Sequence, residues 1–150
     1  MVSARLDAFN QQVLGCQKDA FTLAYAMLGK EEMACAVVEK AIAQAYSFWR
    51  ENGSSIVVEV LKAVLQSCRP MRRRGAWDAV EWIPGWDGLE FRDQETLLLV
   101  DVLGKSYSDT ASILKCSKWD VARLIAGARC KLFKTGSLES KQPGNQKRRK

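Results

Sequence analysis

Residues 104–133 read GKSYSDTASILKCSKWDVARLIAGARCKLF. Ser106 stands just before a short apolar-periodic run and suits an N-cap, because its hydroxyl can accept from a first-turn N–H. Tyr107, Thr110, Ala111 and Leu114 then share one helical face of barely two turns. Ser117 caps a second run, which extends to about Phe133 with Val121, Leu124, Ala128 and Leu132 facing inward. Two helices joined by a three- or four-residue turn cross steeply. The second then projects beyond the first, and its N-terminal residues are free to enter a major groove. The charges agree: Gly104 to Lys134 holds 7 basic and 2 acidic residues. Lys118, Arg123, Arg129 and Lys131 lie off the apolar stripe of the second helix. Such side chains supply phosphate contacts, and the first turns supply base readout. A plain helical hairpin with a solvated basic face accounts equally for the charge and the turn length.

Outward from this stretch the chain reads as all-α. Leu6, Phe9, Val13 and Leu14 predict a short amphipathic helix, and Phe21, Ala24, Tyr25 and Leu28 a second one stopped by Gly29. The strongest period comes next: Ala34, Val37, Val38, Ala41, Ile42, Ala45, Phe48 and Trp49 keep one face apolar for more than four turns. After ENGSS, Ser54 or Ser55 caps the next element. IVVEVLKAVLQSC begins with β-branched residues that favour a strand. Its Val57, Val60, Leu61, Val64 and Cys68 keep the helical period, however, and no second strand candidate exists to pair with it. The segment is expected to be helical, ending at Pro70. EFRDQETLLLVDVLG predicts the central helix of a small bundle, with Phe91, Leu98 and Val102 inside.

Composition narrows the chemistry. The 150 residues carry a formal net charge of +6. The charge is net +3 over 1–74, −3 over 75–88, +2 over 89–135 and +4 over 136–150. The tail 136–150 is nearly devoid of apolar residues and is expected to be disordered, either a solvated end or an electrostatic aid to nucleic-acid binding. Segment 75–88, GAWDAVEWIPGWDG, reads as an acidic, Trp-rich linker between two helical domains. Its Trp77, Trp82, Ile83 and Trp86 either pack the domains or bind a partner, since interface hot spots favour Trp. Cys16, Cys35, Cys68, Cys116 and Cys130 are odd in number and widely spaced, and the chain has no His, so no metal site is expected. They read as small hydrophobes in a reducing cytosol. No run approaches membrane-spanning length and the N-terminus lacks an h-region, so a cytoplasmic protein without membrane association is expected. With no glycine-rich phosphate loop and no nucleophile beside a base, neither an enzyme nor a cofactor is expected.

Leu89–Phe133 resembles region 4 of sigma-70-family transcription initiation factors, nearest the extracytoplasmic-function (ECF) group. Leu89, Leu97 to Leu99, Gly104, Ser106, Tyr107, Ala111, Leu114, Ser117, Val121, Ala128, Arg129 and Leu132 match that pattern. AFTLAYAMLGKEEMACAVVEKAIAQAYSFW resembles region 2, and LKAVLQSCRPMRRR stands where the family has its promoter-melting helix and terminal arginines. The departures are specific. Ala36 and Glu39 stand where the family carries an acid and a Gln that grip the polymerase clamp. Gln66 and Pro70 replace an Asn and an Asp, Glu90 and Phe91 two prolines, Asp120 a Thr, and Gly127 an Arg.

The resemblance implies a region 2-like helical domain over 1–74, the linker 75–88, a region 4-like helix-turn-helix DNA-binding domain over 89–135, and the tail 136–150. It implies a sigma subunit that binds core RNA polymerase, through Val38, Glu39 and Ile42, and directs it to promoter DNA. Lys118, Trp119, Ala122, Arg123 and Arg129 would contact the distal promoter element. Arg72, Arg73 and Arg74, beside Arg69, would back the melted strand. Trp119 would stack on a sugar or a thymine methyl, or else cover a neighbouring helix. The alternative is a degenerate sigma-like regulator that acts through protein contacts, with an anti-sigma factor or a companion sigma-like subunit, without melting DNA itself. A response-regulator-type output module would need only 89–133, and the long amphipathic front half argues against it.

Overall fold

The computed structural model describes residues 2–52, 55–78, 80 and 83–148, with side chains over 4–49, 55–78, 80 and 83–134. Every regular element among them is helical: α1 (Val2–Leu28), α2 (Glu31–Asn52), α3 (Ile56–Arg73), α4 (Phe91–Leu97), α5 (Tyr107–Leu114) and α6 (Lys118–Arg148). A 3-10 turn spans Trp86–Gly88, and a π-helical turn, Leu98–Val102, succeeds α4. Two compact units divide the chain. One is Met1–Val80 with Ser112–Leu114; the other is Glu81–Ala111 with Lys115–Lys150. No helix among the described residues is long and apolar enough to cross a membrane.

In the first unit α1, α2 and α3 pack on one another. The two short helices expected before Gly29 are one continuous α1. Phe9, Val13, Cys16, Ala20, Leu23 and Met27 recur at spacings of three and four and bury one unbroken stripe. Gly29, at φ +72°, ends it, with its N–H on the Tyr25 carbonyl at 2.7 Å. Along α2 the buried row is Ala34, Val37, Val38, Ala41 and Ala45, whereas Phe48 is exposed. At its far end the Phe9 ring lies 4.9 Å from that of Tyr46 and 5.4 Å from that of Trp49.

α3 is the helix that the period predicts. The Ser55 hydroxyl caps it, accepting from the Val58 N–H at 3.4 Å. Pro70 does not end it. The helix runs on to Arg73, and the Arg74 N–H donates to the Pro70 carbonyl at 3.1 Å. A proline forfeits its own N–H bond, here to Gln66, and crowds that carbonyl, but Pro70 stands in the last turn of α3, so the disruption falls at the helix end.

In the second unit α4 packs on α6. Leu97, Leu98 and Leu99 are buried, but Phe91 and Val102 are exposed, contrary to the simple helical period. The π turn explains Val102. The Leu103 N–H reaches back five residues to the Leu98 carbonyl, at 2.8 Å, and this wider turn rotates Val102 off the buried face. Backbone helix also continues to Arg148, through the tail expected to be disordered. Of the five cysteines, none of them in a disulfide, Cys16 and Cys68 are buried, Cys116 is half-buried, and Cys35 and Cys130 are exposed.

Candidate nucleic-acid interface

The turn between α5 and α6 is built by local bonds. Ser106 caps α5, its hydroxyl accepting from the Asp109 N–H at 3.0 Å. α5 closes with Lys115 in the left-handed region, φ 59°, and the Cys116 N–H on the Ala111 carbonyl at 3.0 Å. This is a Schellman-type end achieved without glycine. Ser117 and Asp120 then cap α6 reciprocally: the Asp120 N–H donates to Ser117 Oγ at 3.0 Å, and the Ser117 N–H donates to Asp120 Oδ2 at 3.1 Å. The sequence reading points to Ser117 but not to the return bond from Asp120, although the Ser-x-x-Asp spacing carries that signal.

α6 buries Val121, Ile125 and Ala128, while Leu124 and Leu132, expected inside, are half-buried. The buried spacing of four and three residues selects Ile125 in place of its neighbour. Opposite that stripe the first turns are open. Lys118 is exposed, Trp119 is 84% exposed, and the Arg123 side chain is 77% exposed; Ala122 is half-buried between them. Arg123 Nη2 donates to Asp120 Oδ1 at 2.7 Å. The Ser117 N–H foremost, then the Ser117 side chain and last Arg123, hold the Asp120 carboxyl below its ordinary value.

Farther along α6 the cations reach a different element. Arg129 makes a two-pronged bond to Asp101, Nη2 to Oδ1 at 2.6 Å and Nε to Oδ2 at 3.0 Å. Lys131 Nζ donates to Asp93 Oδ2 at 2.7 Å. Each bond pushes its cation further toward the charged form. Arg129, half-exposed, is bonded to the π turn, whereas Lys118, Trp119, Ala122 and Arg123 stand at the open start of α6.

At the end of α3 the three candidate arginines part. Arg73 and Arg74 are exposed. Arg72 is 3% exposed, with Nη1 bonded to Met27 Sδ at 3.5 Å and its guanidinium 4.4 Å from the centre of the Trp77 ring. It is directed into the first unit, where the indole face and the thioether meet it, while Arg73 and Arg74 face solvent. Next to Trp77, the Asp78 N–H donates to the Leu28 carbonyl at 2.8 Å. The other linker tryptophans divide. Trp86 is buried, with its carbonyl accepting from Gln94 Nε2 at 2.8 Å, and Trp82 lies outside the described residues.

Between α2 and α3 runs a groove of about 530 Å³, lined among others by Met33, Lys40, Met71 and Arg74. Ala36, Gln66 and Pro70, three positions where the chain departs from the family pattern, also line it. Of the three residues implied for polymerase contact, Glu39 is exposed and Ile42 half-buried. Val38 is buried instead, because the α2 stripe facing the bundle passes through it.

The fold has a solved counterpart. The sigma factor RpoE, in a co-crystal structure with the anti-sigma factor NepR from Bartonella quintana, matches with a TM-score of 0.71 at 17% sequence identity, covering 87% of this chain and 98% of that one. The chain shares the all-helical fold of that sigma factor. No family model and no curated protein matches its sequence.

Proposed function

We propose that this chain is a sigma subunit of the ECF type, which binds core RNA polymerase and directs it to promoters. The observation that carries this reading is the open start of α6: a tight, glycine-free turn and a reciprocal cap present Lys118, Trp119 and Arg123 to solvent together. A helix preceded by such a turn can lay its first residues against base edges while its cations meet phosphates. Trp119 adds a flat apolar face for a sugar or a thymine methyl. In the first unit, Glu39 and Ile42 on α2 would meet polymerase, and Arg73 and Arg74 would lie along a DNA strand.

A second reading is a sigma-like regulator that works through protein contacts alone. What favours it is the inward Arg72, which leaves one cation fewer for a melted strand, together with the replaced positions Ala36, Gln66 and Pro70 gathered in one groove. An anti-sigma factor, or a companion sigma-like subunit, would then be its partner.

Reconstitution with bacterial core RNA polymerase, and then run-off transcription on fragmented genomic DNA of the source organism, separates the two. Discrete transcripts that require this chain are expected. Polymerase binding without transcripts would select the second reading.

A further inference from the structure

We infer that Asp120 is a positioning residue: it aims Arg123 at a guanine in the major groove and withholds it from DNA phosphates. This rests on the reading of α6 as the DNA-contacting helix.

The acid–base pairs of α6 differ in kind. Arg129 and Lys131 are bonded to residues 28 and 38 positions away, and so fasten α6 to the elements before it. The partner of Arg123 sits three residues earlier on the same helix. That pair fastens nothing, and an exposed pair at this spacing contributes little to stability. It does set a direction. Asp120 Oδ2 is held by the Ser117 N–H, and the Asp120 N–H by Ser117 Oγ, so the carboxylate cannot swing with the arginine. Its Oδ1 then fixes the guanidinium at Nη2.

A guanidinium has five N–H donors in a planar fork, and one bond to Asp120 leaves four. The major-groove edge of guanine offers two acceptors side by side, N7 and O6, which is the match for such a fork. A fork aimed in advance loses less freedom on docking. Against phosphate the same carboxylate works the other way. It repels the backbone and engages the arginine nearest the start of α6. One acid therefore sharpens base reading and weakens sequence-blind binding.

The test is selection of duplexes from a random library by the full chain. The selected and a scrambled duplex are then titrated across a salt series, for the wild type, Asp120→Asn and Arg123→Ala. Asn keeps an oxygen for the Ser117 N–H and removes the charge that holds Arg123. The wild type is expected to enrich a guanine at one position, and Arg123→Ala to lose it. Asp120→Asn is expected to relax that preference several-fold, within the roughly 5–150-fold that a bidentate contact supplies. It should also bind scrambled DNA more tightly, with a log–log salt slope steeper by about 0.9. Equal weakening on both duplexes would make Asp120 a cap and nothing more. An undiminished guanine preference would overturn the assignment while leaving α6 as the reading helix. Failure of the wild type to enrich any sequence would remove the DNA reading of α6, and this assignment with it.

Discussion

At the end of α3, Arg72 turns into the first unit while Arg73 and Arg74 stay in solvent; at the start of α6, Lys118, Trp119 and Arg123 all stay out. Both regions are short, basic and helical, and composition treats them alike. What separates them is what their neighbours offer. Around Arg72 an indole face and a thioether stand within reach, so the cation is buried with partners. Around Arg123 the nearest partner is an acid of its own helix, so the cation is oriented without being buried. A basic run is thus no evidence for a nucleic-acid face until each cation has been assigned to what it touches.

The contrast breaks most directly at Arg72. Replacing it with Ala removes a desolvated cation–π contact and leaves a void in the first unit, a loss of about 2–4 kcal/mol. Arg73→Ala and Arg74→Ala touch exposed side chains and are expected to stay within about 0.5 kcal/mol of wild type. Denaturant unfolding of the three variants gives the order. Arg72→Ala as stable as Arg74→Ala would return Arg72 to the exposed set.

The second test acts on the same contact from a distance. Gly29 sits at φ +72°, and a Cβ there would run into the Asp78 carbonyl. Asp78 bonds back to Leu28, next to Trp77, which lies over Arg72. Gly29→Ala is expected to cost about 1–2 kcal/mol from backbone conformation alone, with the collision in addition. It should also expose Trp77, seen as a red shift of tryptophan emission relative to Gly29→Ala/Trp77→Phe. An unshifted spectrum would mean that Trp77 keeps its seat without the Leu28–Asp78 bond.

Much of this architecture is legible in the sequence, and what escapes it has identifiable physical causes. Hydrophobic period reveals the helical nature of α3 despite its β-branched start, and serine placement reveals the caps at Ser106 and Ser117 and narrows that of α3 to Ser54 or Ser55. Each of those signals acts within one turn. Among what the sequence does not show are the inward turn of Arg72, the exposure of Val102 and the bond from Arg129 to Asp101. Arg72 owes its position to Met27 and Trp77, the first 45 residues away in sequence. Val102 owes its exposure to a π turn, which leaves no mark in a period of 3.6. Arg129 matches the family motif, which assigns it to DNA, yet its partner is Asp101, across the second unit. Of the candidate site, the first turns of α6 can be read from the residues, and the ties behind them cannot.

The smallest expected effect tests those ties. Arg129 and Asp101 are both partly exposed, so solvent screens most of the attraction between them. Arg129→Ala is expected to lower the unfolding midpoint by less than Gly29→Ala does. Adding Asp101→Asn should cost nothing more, because the acid has already lost its partner; thermal unfolding of the single and double variants reads that coupling directly. The same variants should leave the guanine preference of the selected duplex unchanged, since Arg123 and its Asp120 support lie nearer the start of the helix. If Arg129→Ala instead weakened the selected and scrambled duplexes alike and flattened the salt dependence, Arg129 would be exchanging Asp101 for a phosphate. The division of α6 into a reading end and a fastening end would then have to be drawn beyond Arg129, at Lys131 and its bond to the buried Asp93.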